Sequence, residues 1–245
     1  MKNTWRLVEP TESDVPIWPV TKDALDGWLD GQPGLVTDWV RSHRFQAKSG
    51  SHLVVPGSDG SVTGVVLGVA EPMGMWDTAG LPNALGAGAY ALEIQPDDTT
   101  GPATKAALGW ALGVYGFNRY KAEGDDAPLP SLAWPDGADR AYVGRAATAT
   151  DLVRDLVNTT AADLGPEDLA QAASDVAQNF GASVSVIVGD DLLDANYPMI
   201  HAVGRAATGA PRLIDLHWGN ADHPAVTLVG KGVCFDSGGL DLKPA

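Results

Sequence analysis

The chain has 245 residues, 44% of them hydrophobic, enough for one large or two ordinary domains, each with its own core. Its 16 Lys and Arg against 31 Asp and Glu leave a formal net charge of −15. That field repels phosphate backbones and anionic lipid, which disfavours nucleic acid as a partner, and it favours metal ions and substrates with a free amino group. The single cysteine, Cys234, cannot close an internal disulfide, and no apolar run reaches membrane-span or signal-peptide length, so a cytoplasmic protein without a membrane partner is expected.

In chain order, short β-type runs fall at His52–Val55, Val62–Val69 and Tyr90–Ile94, with the turn cluster Gly57-Ser58-Asp59-Gly60 between the first two. Pro102 opens a helix expected to reach Tyr120, with Leu108, Leu112 and Tyr115 at helical spacing. Gly109 and Gly113 inside it either weaken the helix or mark close packing against a neighbour. The stretch Lys121–Gly137 holds three prolines and two glycines and is the expected boundary, giving an N-terminal α/β domain at 1–135 and a second domain at 136–245.

The second block alternates helix and strand. Asp139–Val157 reads as a helix with Leu152 and Leu156 on one face, interrupted by Asn158-Thr159-Thr160. Pro166 opens the next helix, with Glu167 and Asp168 in the first turn, where the helix dipole favours carboxylates. Leu169, Ala173, Val176 and Phe180 form its apolar stripe and Gly181 ends it. Ser183–Val188 is an expected strand, Tyr197–Arg205 a short helix and turn, and Arg212–Trp218 and Ala225–Val229 two more strands. This alternation predicts a mainly parallel sheet with helices on its faces, and active sites in such sheets lie beyond the carboxyl ends of strands.

The closing string, Gly230-Lys231-Gly232-Val233-Cys234-Phe235-Asp236-Ser237-Gly238-Gly239-Leu240-Asp241-Leu242-Lys243-Pro244-Ala245, begins at such a place and sets two lysines and two aspartates among four glycines. A phosphate loop would need glycine at 225 and Ser or Thr at 232; the chain has Ala225 and Gly232. Solvated charges on glycine-rich turns are the structural alternative. The third reading is a metal site. Asp236 is a hard oxygen ligand able to bridge two divalent ions, and Lys231 can ligate as a neutral amine if burial and adjacent cations depress its pKa. Lys243 can stay charged and donate to a developing oxyanion.

The string resembles the signature of the M17 leucyl aminopeptidases. Leu156–Leu164, the helix after Pro166, Met199–Ala207 and Pro211-Arg212-Leu213 resemble that family in order and spacing, and together these segments cover roughly 139–245. The resemblance implies a small N-terminal α/β domain followed by the beginning of a mainly parallel-sheet catalytic α/β domain. It also implies a metalloexopeptidase that releases N-terminal amino acids, often leucine, from peptides with a free N-terminus, using two divalent metal ions (Zn, Mn or Mg) and bicarbonate as base. Lys231 matches a metal-ligating lysine, Asp236 the aspartate that bridges both ions, and Lys243 the catalytic lysine that polarises the scissile carbonyl. Cys234 stands where many members have threonine and is expected to be a small buried residue. The family's further ligands follow the lysine-proline, beyond Ala245, so these residues alone are expected to be inactive and poorly soluble; the rival is a non-catalytic folding, assembly or binding domain. Full-length members are homohexamers by resemblance. His201, His217 and His223 are expected to pack or face solvent rather than bind metal, the eight tryptophans to serve cores and interfaces, and no Gly-x-Ser-x-Gly elbow is present.

Overall fold

The structure, a computed structural model, describes residues 5–94, 101–121 and 128–234. Two compact units divide it, Met1–Val153 and Arg154–Ala245.

The first unit contains β1 (Leu7–Val8), β2 (Val15–Thr21), α1 (Leu25–Asp30), α2 (Gly34–Ser42), β3 (His52–Pro56), β4 (Val62–Val69), α3 (Trp76–Ala79), a 3-10 turn at Leu81–Asn83, β5 (Ala89–Leu92), α4 (Gly101–Val114), β6 (Ser131–Ala133) and most of α5 (Arg140–Asn158). Its six strands form one sheet in the order β1-β6-β5-β2-β4-β3. All pairings are parallel except that of β3 with β4. The chain is thus mixed α/β with a mainly parallel sheet.

Strand β4 shows how the sheet is covered on both faces. Val65, Leu67 and Val69 join a core with Ile17, Leu81, Trp110 and Leu132, while Val66 joins Val20, Leu25, Leu29, Val36, Val40 and Val55 in a second core. On the Val66 face, Gly64 and Gly68 complete the period of two and leave space where a side chain would not fit. A β-carbon on Gly64 would lie 2.1 Å from the Trp18 ring, and one on Gly68 would lie 2.2 Å from the Lys48 carbonyl oxygen.

β2 carries Pro16 and Pro19, which argue against an interior strand because proline has no N–H to donate to a ladder. Yet β2 lies between β5 and β4. The registers explain the tolerance: β5 pairs with residues Val15–Ile17 and β4 with Ile17–Thr21, so each proline faces one paired neighbour rather than two. β6 falls inside the proline-rich stretch 121–137, where Leu132 is fully buried between β1 and β5.

α4 is apolar nearly all round, as a helix buried on several sides must be, and it ends at Val114, short of the expected Tyr120; Gly113 and Gly116 weaken its continuation. Gly109 and Gly113 mark close packing. A β-carbon on Gly109 would sit 1.9 Å from the Met75 carbonyl oxygen, and one on Gly113 would sit 2.0 Å from that of Ala79. Thr78 in α3 donates its hydroxyl to the Ala106 carbonyl at 2.8 Å across the same contact. Next to it Asp77, 2% exposed, accepts from the Ala70 N–H at 3.1 Å, the Gly74 N–H at 2.8 Å and the Ser49 hydroxyl.

The second unit contains the end of α5, then α6 (Pro166–Phe180), β7 (Ser183–Val188), α7 (Asp191–Asp194), α8 (Pro198–Gly204) and β8 (Arg212–His217). β7 and β8 pair antiparallel, from Ser183↔His217 to Val188↔Arg212, where the helix-strand alternation predicts a parallel pair. The connection, residues 189–211, turns back on itself through α7 and α8 and closes where it began, with the Gly189 N–H donating to the Pro211 carbonyl at 2.9 Å, so β8 starts beside the end of β7 and runs back along it. α6 is bounded as its sequence predicts: Gly165 precedes Pro166 in extended conformation, and Gly181 closes the helix in the left-handed region at φ +66°. Ala225–Val229, expected as a strand, is not one. It has no strand partner among the described residues, and Val226, Leu228 and Val229 are 84%, 91% and 93% exposed. Among the described residues no helix is long and apolar enough to cross a membrane.

Candidate active site

The expected site residues follow Val229, and the structure describes the start of that segment. Lys231 is described and exposed; Asp236 and Lys243 lie outside the described residues. The segment is laid against the first turn of α6. A β-carbon on Gly232 would come within 2.6 Å of Leu169 Cδ2, so the backbone at 232 presses directly on that side chain. Two residues on, Cys234 is half-buried, with the carboxylate of Asp168 acting on it.

Three neighbours fix the first turn of α6. The Gly165 N–H donates to Asp168 Oδ2 at 2.8 Å, satisfying a donor that the helix start leaves open. Glu167 Oε2 lies 3.4 Å from Arg212 Nη2, tying the turn to the first residue of β8. Pro166 sits beside Gly209, where a β-carbon would be 3.3 Å from its Cδ.

Burial pushes the Cys234 thiol above its ordinary range, and the Asp168 carboxylate adds to the rise. The thiolate is the reacting species, so a raised pKa makes it scarce at neutral pH. Iodoacetamide is therefore expected to label native Cys234 more slowly than the unfolded chain at pH 7.5. Asp168→Asn, which removes the negative charge, is expected to speed labelling by less than the roughly tenfold that one pKa unit would give. Labelling that slows in Asp168→Asn would contradict this placement.

Among the described residues no three His, Cys, Asp or Glu side chains gather as a metal-binding group. His201 Nε2 pairs with Asp190 Oδ1 at 3.0 Å, and His217 Nε2 with Asp215 Oδ2 at 3.1 Å, each an exposed two-residue contact. His223 donates its backbone N–H to the Asn220 carbonyl. Lys231 makes no ion pair among the described residues. The donor chemistry of Lys231 and Asp236 fits part of a two-ion site: a neutral amine for one ion and a carboxylate with an oxygen for each. Two side chains leave most coordination positions of two ions unfilled.

Comparison with known proteins gives matches along most of the sequence. The profile of the M17 aminopeptidase N-terminal domain matches residues 15–135, and that of the cytosol aminopeptidase family catalytic domain matches residues 151–245. A probable cytosol aminopeptidase of Streptomyces coelicolor is 31% identical over 91% of this chain and 50% of its own length. Peptidase B of Pectobacterium carotovorum is 40% identical over 47% of this chain and 28% of its own. The crystal structure of the cytosol aminopeptidase from Coxiella burnetii has a TM-score of 0.86 at 41% identity, covering 97% of this chain and 51% of that one. The bottromycin maturation enzyme BotP, solved in complex with Mn, is alike in fold, with a TM-score of 0.68 at 23% identity over 86% of this chain and 46% of that one. The chain spans about half the length of these relatives, or less. Two profiles of one family, matched in order along most of the sequence, make this chain a member of the M17, or cytosol, aminopeptidase family.

Proposed function

We propose that the chain serves the hydrolysis of N-terminal residues, leucine among them, from peptides with a free N-terminus. The observation that carries this reading is the Gly230–Ala245 string in a chain of this family. Two divalent ions (Zn, Mn or Mg), when bound, supply Lewis acidity that lowers the pKa of the attacking water. Lys231 would hold one ion through its neutral amine, and Asp236 would lie between both. Lys243 would stay charged and donate to the oxygen of the scissile carbonyl as negative charge develops there, with bicarbonate as the base. Further donors would complete the coordination of both ions, and the assembled enzyme would be a homohexamer working in the cytoplasm.

The test uses leucine p-nitroanilide with Mn²⁺. These 245 residues alone are expected to give no turnover. A chimera in which the remaining half of the Coxiella burnetii relative follows Ala245 is expected to hydrolyse the substrate, to stop with chelator and to recover with Mn²⁺. In it, Lys243→Ala should lower kcat by about 10²- to 10³-fold, and Asp236→Ala should abolish the Mn²⁺-supported turnover. Chelator-sensitive turnover by the 245 residues alone would sink the claim that further donors are needed. A folded chimera indifferent to Lys243→Ala and Asp236→Ala would sink the residue roles.

A second reading, a binding or assembly domain without catalysis, is favoured by one observation: the uncharged, β-prone run Ala225–Val229 is exposed and unpaired among the described residues. The same chimera separates the two, since under this reading Asp236 and Lys243 would not matter to turnover.

A further inference from the structure

A lysine that binds metal needs its backbone held still, because four rotatable bonds already separate its amine from the chain. Lys231 lies between Gly230 and Gly232, the residue type that holds a backbone least. The rigidity must come from outside the segment.

We infer that Leu169, carried on the first turn of α6, is the positioning residue for Lys231: it seats the backbone at Gly232 and so fixes where the lysine amine is presented. This deepens the metal reading of Lys231 and rests on it. The contact is close: a β-carbon at 232 would lie 2.6 Å from Leu169 Cδ2, so a side chain there would displace the leucine's terminal methyl. Leu169 in turn stands on a turn that is braced at each of the three preceding residues. Pro166 abuts Gly209, Glu167 pairs with Arg212 of β8 at 3.4 Å, and Asp168 accepts the Gly165 N–H at 2.8 Å. A continuous path of contacts therefore runs from the β7–β8 pair through Arg212 and α6 to the residue beside Lys231.

The contact makes a reciprocal prediction. Leu169→Ala removes the seat, and Gly232→Ala displaces the Leu169 methyl that forms it. The pair Leu169→Ala/Gly232→Ala lets the new methyl fill the vacated space. Backbone amide order parameters of residues 231–234 in the 245-residue chain are expected to fall into the flexible range, below about 0.6, in each single variant and to return towards the parent in the double variant. In the chimera, each single variant should raise the Mn²⁺ concentration for half-maximal activity about tenfold, leave kcat at saturating Mn²⁺ within about twofold, and be rescued in the double variant. A purely structural lesion would lower kcat at every Mn²⁺ concentration. Unchanged order parameters, or single effects that add in the double variant, overturn the seating. Lowered order parameters with an unchanged Mn²⁺ requirement overturn the positioning role. A parent chimera active without Mn²⁺ overturns the metal reading of Lys231 and the positioning role with it, and the order parameters then report the seat alone.

Discussion

Asp77→Ala is expected to destabilise the first unit by about 3 to 5 kcal/mol, lowering its melting temperature by roughly 10 °C. The carboxylate is 2% exposed and accepts hydrogen bonds from Ser49, Ala70 and Gly74. Those donors sit on the loop before β3, at the end of β4 and on the approach to α3, so one side chain closes three segments that are apart in sequence. Alanine leaves two backbone N–H groups and a hydroxyl facing a cavity, and an unmade buried hydrogen bond costs more than a made one contributes. Asp77→Asn keeps the shape, keeps an oxygen for the two backbone N–H groups and presents its NH2 to the Ser49 hydroxyl, which can rotate to accept, so it should lose less than half as much. Thermal and urea unfolding followed by circular dichroism measure both. An Asp77→Ala protein within about 1 kcal/mol of the parent would show that the three donors find other acceptors.

The sequence declares Asp77 poorly, and the reason is general. Val62–Val69 and Ser183–Val188 are legible because their β-branched runs stop at turn residues, and the structure holds them with the same bounds. α6 is legible because Pro166 and Gly181 mark both ends. β2 is masked by two prolines whose harmlessness depends on where its neighbours start and stop pairing, which no local pattern records. β1 and β6, with 2 and 3 residues, are too short for any periodicity to show. Gly27 in α1 and the brevity of α1 and α2 likewise blur two amphipathic helices that cover one face of the sheet. Ala225–Val229 has a strand's composition, but strand formation needs a partner, and none is alongside it among the described residues.

The candidate site divides along the same line. The types and order of Lys231, Asp236 and Lys243 are covalent facts, readable at once as donors. The seat is not, because Leu169 and Gly232 meet only through the fold. Leu169 reads as one more apolar position on a helical stripe, and Glu167 and Asp168 read as ordinary dipole partners. What distinguishes them is the backbone laid across the turn. A glycine between two reactive residue types was the available signal, and a second chain segment was needed to give it meaning.

Gly109→Ala and Gly113→Ala test the same logic with a sign that helix propensity alone gets wrong. In an exposed helix either change should stabilise by about 1 kcal/mol. Here each new methyl would meet a carbonyl oxygen at 1.9 or 2.0 Å, on Met75 or Ala79, and both oxygens belong to backbone that cannot swing aside like a side chain. α3 must move off α4, and the Thr78–Ala106 hydrogen bond at 2.8 Å opens with it. Overpacking of this kind costs about 1 to 3 kcal/mol and the hydrogen bond about 1 more, so each variant should lose roughly 1 to 3 kcal/mol after the propensity gain is subtracted. The double variant should lose less than the sum, since α3 displaced by the first methyl offers less resistance to the second. Gly27→Ala in α1 supplies the contrast: nothing lies within 4 Å of its β-carbon position, so propensity acts alone and the variant should gain about 0.5 to 1 kcal/mol. Chemical unfolding of the four proteins against the parent reads all the signs at once. If Gly109→Ala matched Gly27→Ala in raising stability, α3 and α4 would not be packed backbone to backbone, and the first unit's larger core would have to be held together in another way.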